Sequence, residues 1–348
     1  MYLILLLLLI TLFFISHIYV CGIDSKLKNK TNILIFTILV LAIGLRPEGI
    51  DNDYSNYLMS IDNNKSIGEP TFILLAFIIS SFSLPHQLLF LTYAFCGILL
   101  KVYSINKLSL LPIVSYIIYL SHIILLHDIN QIRAGVASGL FLLSIIYYFN
   151  DKRKYALIIF IASLFHFSAL LFFILLPLSR KRLSKKSYVL WAMLPILGYI
   201  VHFVISSIDV SQIPIAPIRE KMEMYKSLEE MDVEGFSEIN LFNSYIVFKL
   251  VIYYIILNYY YFLEKIDNRI TFYIKTFSIS LFLFPALGAI TPILGYRASE
   301  LFGVVEILLF PYLFMLFKGN KVKILCIIIY FLLLFTVDII HKHLIFFI

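Results

Sequence analysis

Apolar runs of about 15 to 20 residues recur from end to end of the chain, long enough to cross a bilayer core of roughly 30 Å. Inside hydrocarbon every backbone amide and carbonyl needs a protein partner, which leaves helices or a closed barrel as the spanning structures. A barrel would show short strands of alternating polarity, and none are visible. The sequence therefore predicts an all-α, polytopic integral membrane protein. Of the 348 residues 61% are hydrophobic and 14% charged, against about a quarter charged in a soluble domain. The formal net charge of +7 then reports which loops face the cytoplasm, and no nucleic-acid partner is expected. Cys21, Cys96 and Cys326 are too scattered for a metal site or a disulfide framework. Residues 1–20 open without a basic residue and precede no small-residue cleavage site, the pattern of a retained helix rather than a signal peptide.

The runs are 2–20, 33–45, 71–84, 86–102, 110–126, 134–150, 155–177, 188–208, 244–263, 276–290, 299–317 and 322–340. Two of them fit a span poorly. Segment 71–84 is short and parted from the next run only by Pro85. Segment 155–177 has basic residues at both ends and a polar interruption at Ser163, His166 and Ser168. Basic ends and a polar midpoint together describe a re-entrant hairpin, whose turn must be buried in protein or line a wet cavity. About ten transmembrane helices remain, with both termini outside. With Lys101 and Lys323 counted as snorkelling, most of the 28 basic residues then face the cytoplasm, beside only Asp24, Asp151, Glu264 and Asp267 of the 21 acids. The whole of 1–348 is expected to form one membrane domain. Its outer face carries loops 46–70 and 209–243, the cluster His127–Arg133 and the turn at Arg297. Within 209–243, stretch 217–231 reads either as an amphipathic surface helix, with Ile218, Met222, Tyr225 and Leu228 on one side, or as a solvated connector.

Arg46, Arg133 and Arg297 each begin or end a span on that outer face. Such an arginine is either an anchor at the headgroups or a ligand for an anion, and guanidinium suits phosphate oxygens through paired donors. Asp51 and Asp53 form a D-x-D, a spacing for a general base, for a cation or simply for a polar turn. An EF-hand is excluded, because Asn56 and Asp62 stand where that loop needs glycine and glutamate. Tyr54 and Tyr57 would stack on sugars or sit in the aromatic belt. His127 and Asp128 suggest a base and its orienting carboxylate, although neighbours on a helix point about 100° apart. His166, at the hairpin's midpoint, is either a second base or a packing residue. Lys249 and Glu306 lie inside spans, where ionisable groups are functional candidates or partners for each other. There is no P-loop, nucleophile elbow or zinc motif, and neither a metal nor a cofactor is expected.

Three stretches carry a resemblance: Gly49-Ile50-Asp51-Asn52-Asp53-Tyr54 through Tyr57 to Glu69-Pro70; Gln131-Ile132-Arg133-Ala134-Gly135; and Ala162-Ser163-Leu164-Phe165-His166-Phe167-Ser168. With Tyr296-Arg297-Ala298-Ser299-Glu300, they resemble the EpsG-type family of Wzy O-antigen, capsule and exopolysaccharide polymerases over roughly 46–317. Ala134 departs from the polar residue common there. The resemblance implies a membrane glycosyltransferase in a bacterial inner membrane with its site facing the periplasm. It would move a chain from undecaprenyl diphosphate onto the terminal sugar of a lipid-linked repeat unit. Donor and acceptor would both be undecaprenyl-diphosphate-linked oligosaccharides, with membrane lipid, a chain-length regulator and a flippase as further partners. The inventory suits that chemistry: Arg133 and Arg297, supported by Arg46, on the leaving diphosphate, Asp51, Asp53 or His127 as base, and His166 as a further catalytic candidate. Two other readings of the residues stay open, a lipid-linked oligosaccharide flippase and a membrane O-acyltransferase using His166.

Overall fold

The structure is a computed structural model that describes residues 2–51, 53–62, 68–207, 220, 223, 224, 227, 231 and 240–341. The surface helix expected within 217–231 falls mostly outside the described residues. Among those described, all regular structure is helical. Seven helices are long and apolar enough to cross a membrane: Tyr2–Cys21, Gln87–Leu108, Pro112–Asn130, Lys185–Ser206, Ile270–Gly288, Pro292–Met315 and Asn320–Ile339. The pair Ser244–Asn258 and Tyr260–Ile266, bent by 73°, makes an eighth if it counts as one span. Two further expected spans, Asn29–Gly44 and Ile132–Tyr148, have 16 and 17 residues. At about 1.5 Å per residue they fall a few ångströms short of the hydrocarbon core. The first ends two residues before Arg46, and the second carries Arg133 in its first turn.

Two compact units divide the chain, residues 1–178 with 310–348, and residues 179–309. In the first, Gln87–Leu108 packs along Ile132–Tyr148. Glycines permit the approach. A Cβ on Gly139 would lie 2.9 Å from the Leu100 Cβ, and one on Gly97 would lie 2.5 Å from an Asp128 carboxylate oxygen. Small residues serve this purpose in membranes, where association rests on close packing rather than on expelling water.

Beside this pair runs Pro112–Asn130, all of it buried. Its second half, Tyr119–Asn130, is wound with wide π turns, so that the Gln131 amide donates five residues back to Leu126. The polar stretch expected at a surface is therefore partly interior: His127, Asp128 and Asn130 are buried, and the chain emerges only near Gln131 and Arg133. Lys101 does not snorkel. Its buried ammonium donates to Asp128 Oδ1 at 2.8 Å and to the Gly135 carbonyl at 2.7 Å, while the Tyr119 hydroxyl donates to Asp128 Oδ2 at 2.8 Å.

The hairpin expected over 155–177 is present. Asp151 caps the helix Lys152–Phe165 by accepting from the Arg153 and Lys154 amides. At His166 the backbone becomes extended (φ −155°, ψ 116°), and the 3-10 helix Phe167–Leu175 folds back along the first arm. The Tyr155 hydroxyl donates across the fold to the Phe172 carbonyl at 2.8 Å, and Lys152 donates to the Leu176 carbonyl. Pro70–Ser81, with 12 residues, is about 18 Å long and too short to span.

The second unit is organised around Pro195, inside Lys185–Ser206. Proline has no N–H to give the carbonyl four residues earlier, which is Trp191. That oxygen instead accepts from the Tyr253 hydroxyl at 2.6 Å and the Ser278 hydroxyl at 2.9 Å. Gly198 allows contact with Ile270–Gly288, since a Cβ there would lie 2.6 Å from the Phe282 carbonyl oxygen. Lys249 and Glu306 do pair with each other, at 2.8 Å.

A Cβ on Gly135 would meet the His127 carbonyl oxygen at 2.5 Å, against backbone that cannot swing aside. Gly135→Ala should therefore destabilise the protein by about 1–3 kcal/mol, as overpacking does. Thermal unfolding in detergent, with Gly68→Ala as the control because a Cβ there would meet nothing nearer than 3.8 Å, checks this.

Candidate functional site

Arg46 follows the helix Asn29–Gly44 and is completely buried. Nε donates to Asp51 Oδ2 at 2.6 Å, Nη1 to the Ile43 carbonyl at 2.9 Å and Nη2 to the Ile129 carbonyl at 2.6 Å. The guanidinium also lies 4.7 Å from the Phe90 ring centre and 5.4 Å from that of Tyr54. All three nitrogens are thus engaged inside the protein, and Arg46 ties a loop instead of facing a ligand.

Asp51 is the other half of that tie. Its second oxygen accepts from the Asp53 amide at 3.1 Å, so the D-x-D closes a turn on itself. Burial pushes the Asp51 carboxyl above its usual range, and the Arg46 guanidinium pulls it part of the way back. Asp53 is half-buried at the rim. Among the described residues no three His, Cys, Asp or Glu side chains come together as a metal site would need.

Tyr54 and Tyr57 head the helix Tyr54–Asp62, and their rings are covered by protein. Tyr54 stacks on Phe90 with centroids 4.1 Å apart, and Tyr57 packs against Phe72 at 5.8 Å. Neither presents a ring face for a sugar. Their work is to hold arginines, since Tyr57 carries Arg133 at 5.5 Å as Tyr54 carries Arg46.

Arg133 is the partly open one. It starts the helix Ile132–Tyr148, stands over Tyr57 and Phe72, and its side chain is 32% exposed. Nη1 donates to Glu69 Oε2, while Nε has no hydrogen-bond partner among the described residues. The other Glu69 oxygen meets His166 Nδ1 at 2.8 Å. One carboxylate thereby joins two residues separated by 33 positions, at a loop end, a helix start and a hairpin tip. Burial alone would raise the Glu69 carboxyl. The His166 hydrogen bond and the Arg133 charge outweigh it, holding Glu69 below the usual carboxylate range and ionised. With Nδ1 turned to Glu69 and the His166 side chain 21% exposed, the pair has the base-and-orienter geometry of acid–base sites. Thr71 braces the cluster by donating to the Leu164 carbonyl at 2.9 Å, joining the Pro70–Ser81 helix to the hairpin tip.

Of the expected site residues, the structure brings Arg133 and His166 together through Glu69, and Arg46 and Asp51 together as a buried tie. It does not form a His127–Asp128 dyad, because both Asp128 oxygens are engaged by Lys101 and Tyr119. His127 is buried as well. Arg297 lies exposed on Pro292–Gly303 in the second unit. Glu69 is the residue absent from the expected set. Glu69-Pro70 closes one of the stretches that carry the resemblance, but a polar residue before a helix-start proline is an ordinary N-cap and does not mark Glu69 as a site residue.

These features define a multi-pass helical membrane protein with an arginine–carboxylate–histidine cluster at the ends of its shorter helices. Residues 30–347 match the family model described as the EpsG family, and the chain belongs to that family of membrane proteins associated with exopolysaccharide synthesis. No curated protein and no solved structure matches it.

Removing Asp51 leaves a buried, uncompensated arginine. Asp51→Ala should cost about 3–5 kcal/mol, the range for breaking a buried ion pair from one side. Asp53→Ala, at the half-buried rim, should cost about 1 kcal/mol or less. Thermal unfolding of both variants in the same detergent separates them.

Proposed function

We propose that this chain is a polysaccharide polymerase that transfers a glycan from an undecaprenyl-diphosphate carrier onto the terminal sugar of a lipid-linked repeat unit. The reaction would take place at the periplasmic face of a bacterial inner membrane. The observation that carries the reading is the Glu69 carboxylate holding Arg133 and His166 in one partly exposed cluster.

In the reaction the acceptor hydroxyl oxygen bonds to the donor's anomeric carbon. The bond from that carbon to the diphosphate oxygen breaks, and its electron pair leaves with the lipid diphosphate. The largest electrostatic demand is the charge growing on that leaving group, and prepositioned donors in a poorly solvated site meet it. Arg133 supplies such donors: Nη1 is held by Glu69, the side chain stays 32% exposed, and the ring faces of Tyr57 and Phe72 fix its plane. The hydroxyl proton goes to His166 Nε2, while Nδ1–H stays on Glu69, whose negative charge stabilises the imidazolium. Arg297 is the second candidate for the diphosphate. Arg46 and Asp51 act at a distance by fixing the loop that carries Tyr57.

In membranes supplied with lipid-linked repeat units, His166→Ala should lower polymerisation by about 10²–10⁴-fold, the usual worth of a general base. Arg133→Ala and Arg297→Ala should shorten or abolish polymer. Full-length polymer from well-expressed Arg133→Ala protein would overturn the assignment. Gene deletion with glycan analysis tests the class. Surface glycan cut to one repeat unit supports a polymerase, whereas loss of every surface unit indicates a flippase and a missing acyl group an acyltransferase.

A further inference from the structure

An apolar groove opens beside the Glu69 cluster. Leu74, Leu75 and Ile78 of the Pro70–Ser81 helix form one wall, Tyr93 and Cys96 of Gln87–Leu108 the other, and Phe165 closes the end at the hairpin tip. Its volume is about 200 Å³, and its lining is almost wholly apolar. Leu74 and Ile78 are exposed on the rim, as are Phe77 and Phe95 on the same two helices. A rim of this composition faces hydrocarbon rather than water.

The groove and the polar cluster share their parts. Phe165 precedes His166, Thr71 lies two residues from Glu69, and Thr71 bonds both the Tyr93 hydroxyl (3.3 Å) and the Leu164 carbonyl beside Phe165. Tyr93 also feels the charges of Arg133 and Glu69. A ligand filling the groove would therefore be an apolar chain whose anionic head reaches a guanidinium. The volume falls below the roughly 300–1,000 Å³ of sites that enclose a whole small molecule. It suits a short stretch of one hydrocarbon chain, and no sugar would find hydrogen bonds there.

Resting on the polymerase reading, we infer that this groove seats the first isoprene units of a polyprenyl diphosphate, with the diphosphate at Arg133. Membrane entry follows: the carrier slides in from the bilayer between Pro70–Ser81 and Gln87–Leu108, tail alongside Cys96. Ordinary two-chain phospholipid is the competing occupant. Its second chain has no counterpart in a groove of single-chain width.

Cys96 provides the test. The full chain with Cys21→Ser and Cys326→Ser keeps Cys96 as its one thiol. It is reconstituted in phospholipid nanodiscs, and N-ethylmaleimide labelling is followed by intact mass. With undecaprenyl diphosphate at about ten times its dissociation constant, labelling should slow about tenfold. Inorganic pyrophosphate should not slow it, and Arg133→Ala should abolish the protection. If Cys96 labels too slowly to follow, Cys96→Trp fills the groove instead and should weaken undecaprenyl diphosphate binding at least about tenfold in folded protein. Unchanged labelling by saturating undecaprenyl diphosphate, or unchanged affinity in the tryptophan variant, overturns the groove. If that protein still polymerises, the polymerase reading survives. Protection in a chain that makes no polymer upholds the groove and removes the polymerase.

Discussion

A lysine ammonium enclosed by protein is tolerated only when it is paired with an opposite charge and hydrogen-bonded. Lys101 meets that condition with Asp128 and the Gly135 carbonyl, and much of the first unit's arrangement follows. The lysine belongs to Gln87–Leu108, the carboxylate to the π-wound end of Pro112–Asn130 and the carbonyl to Ile132–Tyr148. Three helices are thus held at one point in mutual register. The wide turns bring Asp128 inward, and Gly97 and Gly135 leave the room that its carboxylate and the His127 carbonyl occupy. Loss of Asp128 would strand the ammonium, so this tie is of the costly-to-break kind even though building it gains little net stability.

From that fixed point a sequence of supports runs to the candidate site. Ile129, one residue beyond Asp128, offers its carbonyl to Arg46. Arg46 holds Asp51 and lies against Tyr54, which starts the short helix that also presents Tyr57. Tyr57 supports Arg133, Arg133 binds Glu69, and Glu69 orients His166. The arginine links set a guanidinium against a ring, a carboxylate or a carbonyl, and the last link joins the Glu69 carboxylate to the His166 imidazole. The cations differ in exposure: Lys101 and Arg46 are enclosed and engaged by protein groups, whereas Arg133 stays partly open.

The helical class, the hairpin at 155–177 and the short segment at 71–84 were legible because hydropathy, length and flanking charge act locally. The count of spans was less so. Asn29–Gly44 and Ile132–Tyr148 read as full spans by composition, and their shortness comes from where the arginines had to sit. Side-chain roles were harder still. Arg46 and Arg133 look alike in sequence, each at the end of an apolar run, and only tertiary packing tells the buried brace from the partly open arginine. Asp128 drew attention for its neighbour His127, yet its partners are 27 residues back and 9 residues back, on faces that adjacency does not predict. Glu69 hid behind an ordinary helix-start pattern, because its meaning depends on a histidine 97 positions away.

The carbonyl released by Pro195 bears on how the second unit is put together. Of the candidate spans, Lys185–Ser206 is the least enclosed, and it comes before the two helices whose Tyr253 and Ser278 satisfy the Trp191 oxygen. In chain order it enters the bilayer carrying an acceptor that hydrocarbon cannot hydrate. Packing of Ser244–Asn258 and Ile270–Gly288 is what satisfies that oxygen, through the Tyr253 and Ser278 hydroxyls. A proline that weakens one helix in isolation thus ties that helix to two neighbours.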